Sequence, residues 1–133
     1  MKSILANSPE LLLLLFLIVT FLQSGLDKLF DWKGNLSWLK THFANSPFKN
    51  MVPLLTLLIT VFEALSALLC IVGFFEIIVQ KQVSFALYGS ISSCMTLLML
   101  LLGQRLAKDY EGAKTIVVYF IPSIVLVILL QLS

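Results

Sequence analysis

The chain has 133 residues, 59% of them hydrophobic and only 12% charged, and its mean hydropathy is +1.02. A soluble domain of this size exposes too much surface to hide so much apolar matter, so the bilayer is its natural solvent. The formal net charge of +2 is split among loops with no basic stripe, which excludes nucleic acid as a partner.

The chain opens with a helix start. Ser8 suits the N-cap, Pro9 the first helical position and Glu10 the positive end of the helix dipole. An uncharged apolar run follows over residues 11–26. Glu10 abuts that run, the only early base is Lys2, and no small-x-small cleavage site follows, so the segment is expected to be a retained first span over about 9–30 rather than a signal peptide. Its end is unusual for a lipid-crossing segment, because Gln23, Asp27 and Lys28 enter its last turns. Gln23 and Asp27 stand at i and i+4 on one face, with Thr20 and Ser24 near the same stripe.

A loop of about 20 residues, DWKGNLSWLKTHFANSPFKN, comes next. Asn35 suits the cap of a short helix, and Leu36, Leu39 and Phe43 then share a face. Trp32 and Trp38 favour the headgroup zone, so an interfacial segment over about 35–45 is expected, ended by Pro47. His42 lies in this segment beside Phe43 and reads as an interface residue. A lone histidine with no second His or Cys nearby does not make a metal site.

The second span is expected over about 51–76, broken only by Glu63, and the third over about 83–106. A tight hairpin, EIIVQKQ, joins them. In the second span Glu63, Ser66, Ala67, Cys70 and Gly73 share a face, and in the third Ala86, Gly89, Ser90, Ser93, Gly103 and Ala107 do so. Small faces of this kind let helices approach closely in lipid. Cys70 and Cys94 both lie in apolar runs, form no close-spaced pair and fall at different depths, so both are expected to be reduced and inert. The turn RLAKDYEGAK leads to a fourth span over about 113–132. The expected fold is an all-α membrane protein, an up-down bundle of four transmembrane helices in a single domain.

Seven of the nine bases, Lys28, Lys33, Lys40, Lys49, Arg105, Lys108 and Lys114, fall on one side of such a bundle, with Lys2 and Lys81 on the other. The positive-inside rule puts the seven-base side in the cytoplasm and both termini outside.

Glu63 is the most informative residue. A carboxylate near mid-depth costs at least ~2.5 kcal/mol unless it is paired, hydrated or protonated. Arg105 is its expected partner, with Asp27 pairing to Lys108 or Arg105. The candidate site is one buried polar cluster of Gln23, Asp27, Lys28, Glu63, Arg105, Lys108 and Asp109, all toward the cytoplasmic side. Three uses of it stay open: a clasp that fixes helix register, a pocket for a ligand or redox cofactor, and a proton or solute path. No catalytic residue is identified. There is no Gly-rich phosphate loop, nucleophile elbow, haem attachment pair or metal-ligand pattern, and no cofactor motif is evident.

The stretches SGLDKLFDW, the loop ending in SPF, TVFEALSALLCIVGFF and GQRLAKDYEGAK together resemble the DoxX family of small four-helix bacterial membrane proteins. The family's polar motif in the first span falls on Gly25, Asp27 and Lys28, and its buried acid on Glu63. The family takes its name from a subunit associated with thiosulfate:quinone oxidoreductase, and some relatives are linked to thiol-redox complexes. The resemblance therefore implies a multi-pass protein of the bacterial cytoplasmic (inner) membrane and leaves room for a quinone or thiol redox link, with a quinone as the one candidate cofactor. Three functions are weighed. The first is an accessory subunit of a membrane oxidoreductase or other membrane complex, holding a quinone or lipid near the polar cluster. The second is a quinone- or thiol-linked oxidoreductase in its own right, and the third a small transporter or proton path through Glu63. The absence of a cofactor motif and of an inverted repeat favours the first. Its expected partners are membrane lipids and either other integral membrane proteins or further copies of the chain.

Overall fold

The computed structural model describes residues 6–44, 50–80 and 82–132. They form five helices: α1 (Ser8–Phe30), α2 (Trp32–His42), α3 (Val52–Gln80), α4 (Ser84–Leu106) and α5 (Tyr110–Leu132). All but α2 are long and apolar enough to cross a membrane. A helix is favoured there because it satisfies its own backbone groups. The 11 residues of α2 fall short of the about 20 that a crossing needs. The chain is thus an all-α membrane protein, an up-down bundle of four long helices with a short fifth between the first two. Pro47, expected to end the interfacial segment, lies outside the described residues, as do Lys2, Lys49 and Lys81 from the charge asymmetry.

Around the bundle α1 packs on α3, α3 on α4 and α4 on α5, while α1 and α5 touch only lightly. The core gathers Leu14, Leu17 and Phe21 of α1, Cys70 and Ile77 of α3, Leu97 of α4, and Leu126 and Leu130 of α5. The α3–α4 seam is the closest. A Cβ placed on Gly73 would run into the backbone of Ala86, and one on Gly89 would lie 2.9 Å from the Cys70 nitrogen. Hydroxyls line the same seam: Ser66 Oγ is 2.7 Å from Ser92 Oγ and 3.4 Å from Thr96 Oγ1. Lipid tails are as apolar as leucine, so close approach and hydroxyl contacts replace the hydrophobic drive that would join these helices in water. Both cysteines are buried and free, and Cys70 Sγ lies 3.8 Å from Ser93 Oγ.

Local chemistry sets the helix ends and moves several of them from where they were expected; the last helix, for one, opens at Tyr110 and not at 113. Helix α1 has Asn7 rather than Ser8 at its N-cap position, and the Asn7 side chain makes no capping hydrogen bond. Asn35 does not open α2 but lies inside it. Its Nδ2 donates to the carbonyls of Asp31 (2.9 Å) and Asp27 (3.3 Å), adding a second donor to each beside the backbone N–H groups of Asn35 and Asp31. The third helix runs on to Gln80, past the expected 76. Glu76 belongs to the helix rather than to the hairpin, where its Oε1 accepts from the Phe85 N–H at the start of α4 (3.1 Å).

Helix α4 ends in a Schellman motif. Lys108 N donates to Arg105 O (3.1 Å) and Asp109 N to Gln104 O (2.9 Å). The left-handed residue of the motif is Lys108, at φ 60°. Asp109 then caps α5, its Oδ1 accepting from Gly112 N at 2.9 Å.

Candidate functional site

Glu63 is only 1% exposed and forms an ion pair with Lys28, whose Nζ lies 2.9 Å from Oε1. Lys28 comes from the last turn of α1, and its side chain runs back along the helix to bond Ser24 Oγ at 2.7 Å. Side chains on a helix lean toward its N-terminus, and α1 and α3 are antiparallel. Lys28 therefore leans into the bundle while Glu63 leans toward the end that Lys28 comes from, and the two meet. The second oxygen, Oε2, is buried without a hydrogen-bond partner. Such a group is costly in an apolar interior, and its presence asks for an explanation.

That oxygen belongs to a residue lining a groove of about 360 Å³. The groove lies along the light α1–α5 seam. Thr20, Gln23, Ser24 and Asp27 of α1 line it on one side and Ile116 and Tyr119 of α5 on the other, with Leu97 and Leu100 of α4 also contributing. Near it on the same seam the rings of Phe16 and Tyr119 stand 6.1 Å apart. The result is a cleft with apolar walls, a row of hydroxyl and amide groups, and a buried acid already half-satisfied by a base.

The structure does not join the seven candidate residues into one buried network. Glu63 and Lys28 form its interior, and Gln23 and Asp27 sit exposed along the groove's edge. Arg105 does not reach Glu63, and no ion pair joins Asp27 to Lys108 or Arg105 among the described residues. The reason is angular. Leu97 faces the core, and seven residues on Gln104 returns to that face, so Arg105 is turned about 100° away. Its guanidinium lies over the Tyr110 ring instead, 5.3 Å from the centroid. Lys108 is exposed in the turn.

Asp109 belongs to a second cluster. His42 Nε2 lies 3.3 Å from Asp109 Oδ2 and 3.1 Å from Gln104 Oε1. The imidazole stacks on Trp38, with centroids 4.6 Å apart. His42 thereby pins the end of α2 to the α4–α5 turn. Sequence reasoning missed Gln104 and Tyr119. Their signals are a polar residue on the inward face of α4 and a phenol inside an aliphatic run. Among the described residues no group of three His, Cys, Asp or Glu side chains is placed to hold a metal ion.

The sequence model of the DoxX family matches residues 10–92. This stretch contains the Lys28–Glu63 pair and stops short of Gln104, Arg105 and Asp109. No curated protein and no solved structure shows a match.

Proposed function

The chain belongs to the DoxX family, and on that premise we propose that it is an accessory subunit of a membrane oxidoreductase or other membrane complex in the bacterial cytoplasmic membrane, holding the polar head of a quinone or lipid in the α1–α5 groove. The observation that carries this reading is Glu63 Oε2, a buried acceptor without a partner on a residue that lines the cleft. A hydroxyl-bearing head such as a quinol would donate to that oxygen. Carbonyl oxygens of the oxidised ring would find donors in the Gln23 amide and the hydroxyls of Ser24 and Tyr119. The apolar tail would leave between α1 and α5 into lipid. A bound quinone would supply a redox couple taking two electrons and two protons. This chain's own residues bind and orient the head, and Lys28 holds the Glu63 carboxylate in place. Small-molecule sites commonly have this make-up, with apolar walls and a few convergent polar groups.

The test is the melting temperature of the purified protein with and without decylubiquinol. At a hundredfold excess over the dissociation constant, binding to the folded state alone adds about 2.7 kcal/mol. We expect a clear rise in Tm for the native chain and none for Glu63→Gln, with helical content unchanged by circular dichroism. An undiminished rise in Glu63→Gln would refute the site. The accessory role is tested by gentle purification, with retention of a second integral membrane protein expected.

A further inference from the structure

A second cleft lies between α4 and α5, with a volume of about 400 Å³. It is lined by Leu101, Arg105, Tyr110, Ala113, Lys114 and Val117. Neither Arg105 nor Lys114 has a carboxylate partner among the described residues, and Glu111, three residues before Lys114, makes no ion pair with it. The one nearby acid that faces inward, Asp109, is occupied by His42 and by the cap of α5. The cleft therefore combines two free cations at the end of the bundle with an apolar wall running down the helices. Tyr110 holds the guanidinium in place through its ring face.

We propose that this cleft is a binding site for one anionic phospholipid, with the phosphate held between Arg105 and Lys114 and an acyl chain laid along Leu101 and Val117. Charge complementarity selects the phosphate, and the apolar wall selects a lipid over a free anion. The site stands apart from the groove at Glu63 and does not depend on the reading given there.

The full chain, purified in detergent, is titrated with mixed micelles carrying phosphatidylglycerol or phosphatidylcholine, and retained lipid is counted by native mass spectrometry. We expect one phosphatidylglycerol held in clear preference over phosphatidylcholine. A base near the membrane surface is worth about 1 kcal/mol toward anionic lipid, so Arg105→Gln and Lys114→Gln should each lower that preference about fivefold. Lys33→Gln, on the exposed face of α2, should leave it unchanged. Equal retention of the two lipids would overturn the proposal. So would a loss with Lys33→Gln as large as with Lys114→Gln, which would mean diffuse surface charge. Displacement of the lipid by millimolar inorganic phosphate would also overturn it in favour of a free-anion site. Should Arg105→Gln not fold, Lys114→Gln alone carries the same test, since Lys114 is exposed.

Discussion

Removing Lys28 and removing Glu63 strand two very different groups. Lys28 keeps 18% of its side chain exposed and sits in the last turn of α1, so without its partner it can swing toward the headgroups. Glu63 has no such escape. Lys28→Ala should therefore cost about 3–5 kcal/mol, the range for an uncompensated buried charge, and Glu63→Ala only about 1 kcal/mol. The double variant should lose less than the sum of the two. Unfolding in detergent measures all three, and equal, strictly additive losses would show that the pair is not coupled. The acid was legible in the sequence because a carboxylate inside an apolar run stands out. Its partner was not. Reach and lean decide pairing, and both Lys28 and Arg105 lie at helix ends on the same side. The capping role of Asp109 was within reach, since an acid directly before a helix is a common N-cap. Its bond to His42 joins parts of the chain far apart in sequence, which no local pattern reveals.

Among the helices, the four long spans could be read from apolar runs alone, since lipid leaves a crossing chain almost no other regular structure. The ends were harder to place, because they depend on single hydrogen bonds such as those of Asn35 and Glu76. The small faces of α3 and α4 were also legible, and they carry a contrast worth measuring. Gly73→Ala drives a methyl into the α4 backbone and should cost about 1–3 kcal/mol, the range for overpacking. Gly25→Ala, inside α1, meets nothing within 4 Å and should raise stability by about 0.5–1 kcal/mol, because glycine is the poorer residue in a helix interior. Similar losses at both glycines would contradict the seam described here. At the close of α4, Lys108 holds a left-handed conformation that costs a side-chain-bearing residue roughly 1–2 kcal/mol. Lys108→Gly should therefore raise stability by about 1 kcal/mol, after allowing for the greater freedom of glycine in the unfolded chain. A loss of stability would point to a role for the lysine side chain itself.

For the molecule as a whole, the asymmetry of bases motivates a topology with α2 and the α4–α5 turn in the cytoplasm. Cysteine introduced at Gln82, in the α3–α4 turn, should react with an impermeant thiol reagent applied to intact cells, and cysteine at Lys40 only after lysis. The reverse pattern would invert the protein. The native thiols are buried and should stay silent in both cases. Three of the four seams around the bundle are well packed and one is not. A guest that slips in sideways through the loose seam is drawn from a two-dimensional solution. What fills the cleft is then governed by its mole fraction among the surrounding lipids and not by its aqueous concentration. Adding lipid at constant guest should empty the site, while diluting the buffer should leave it filled.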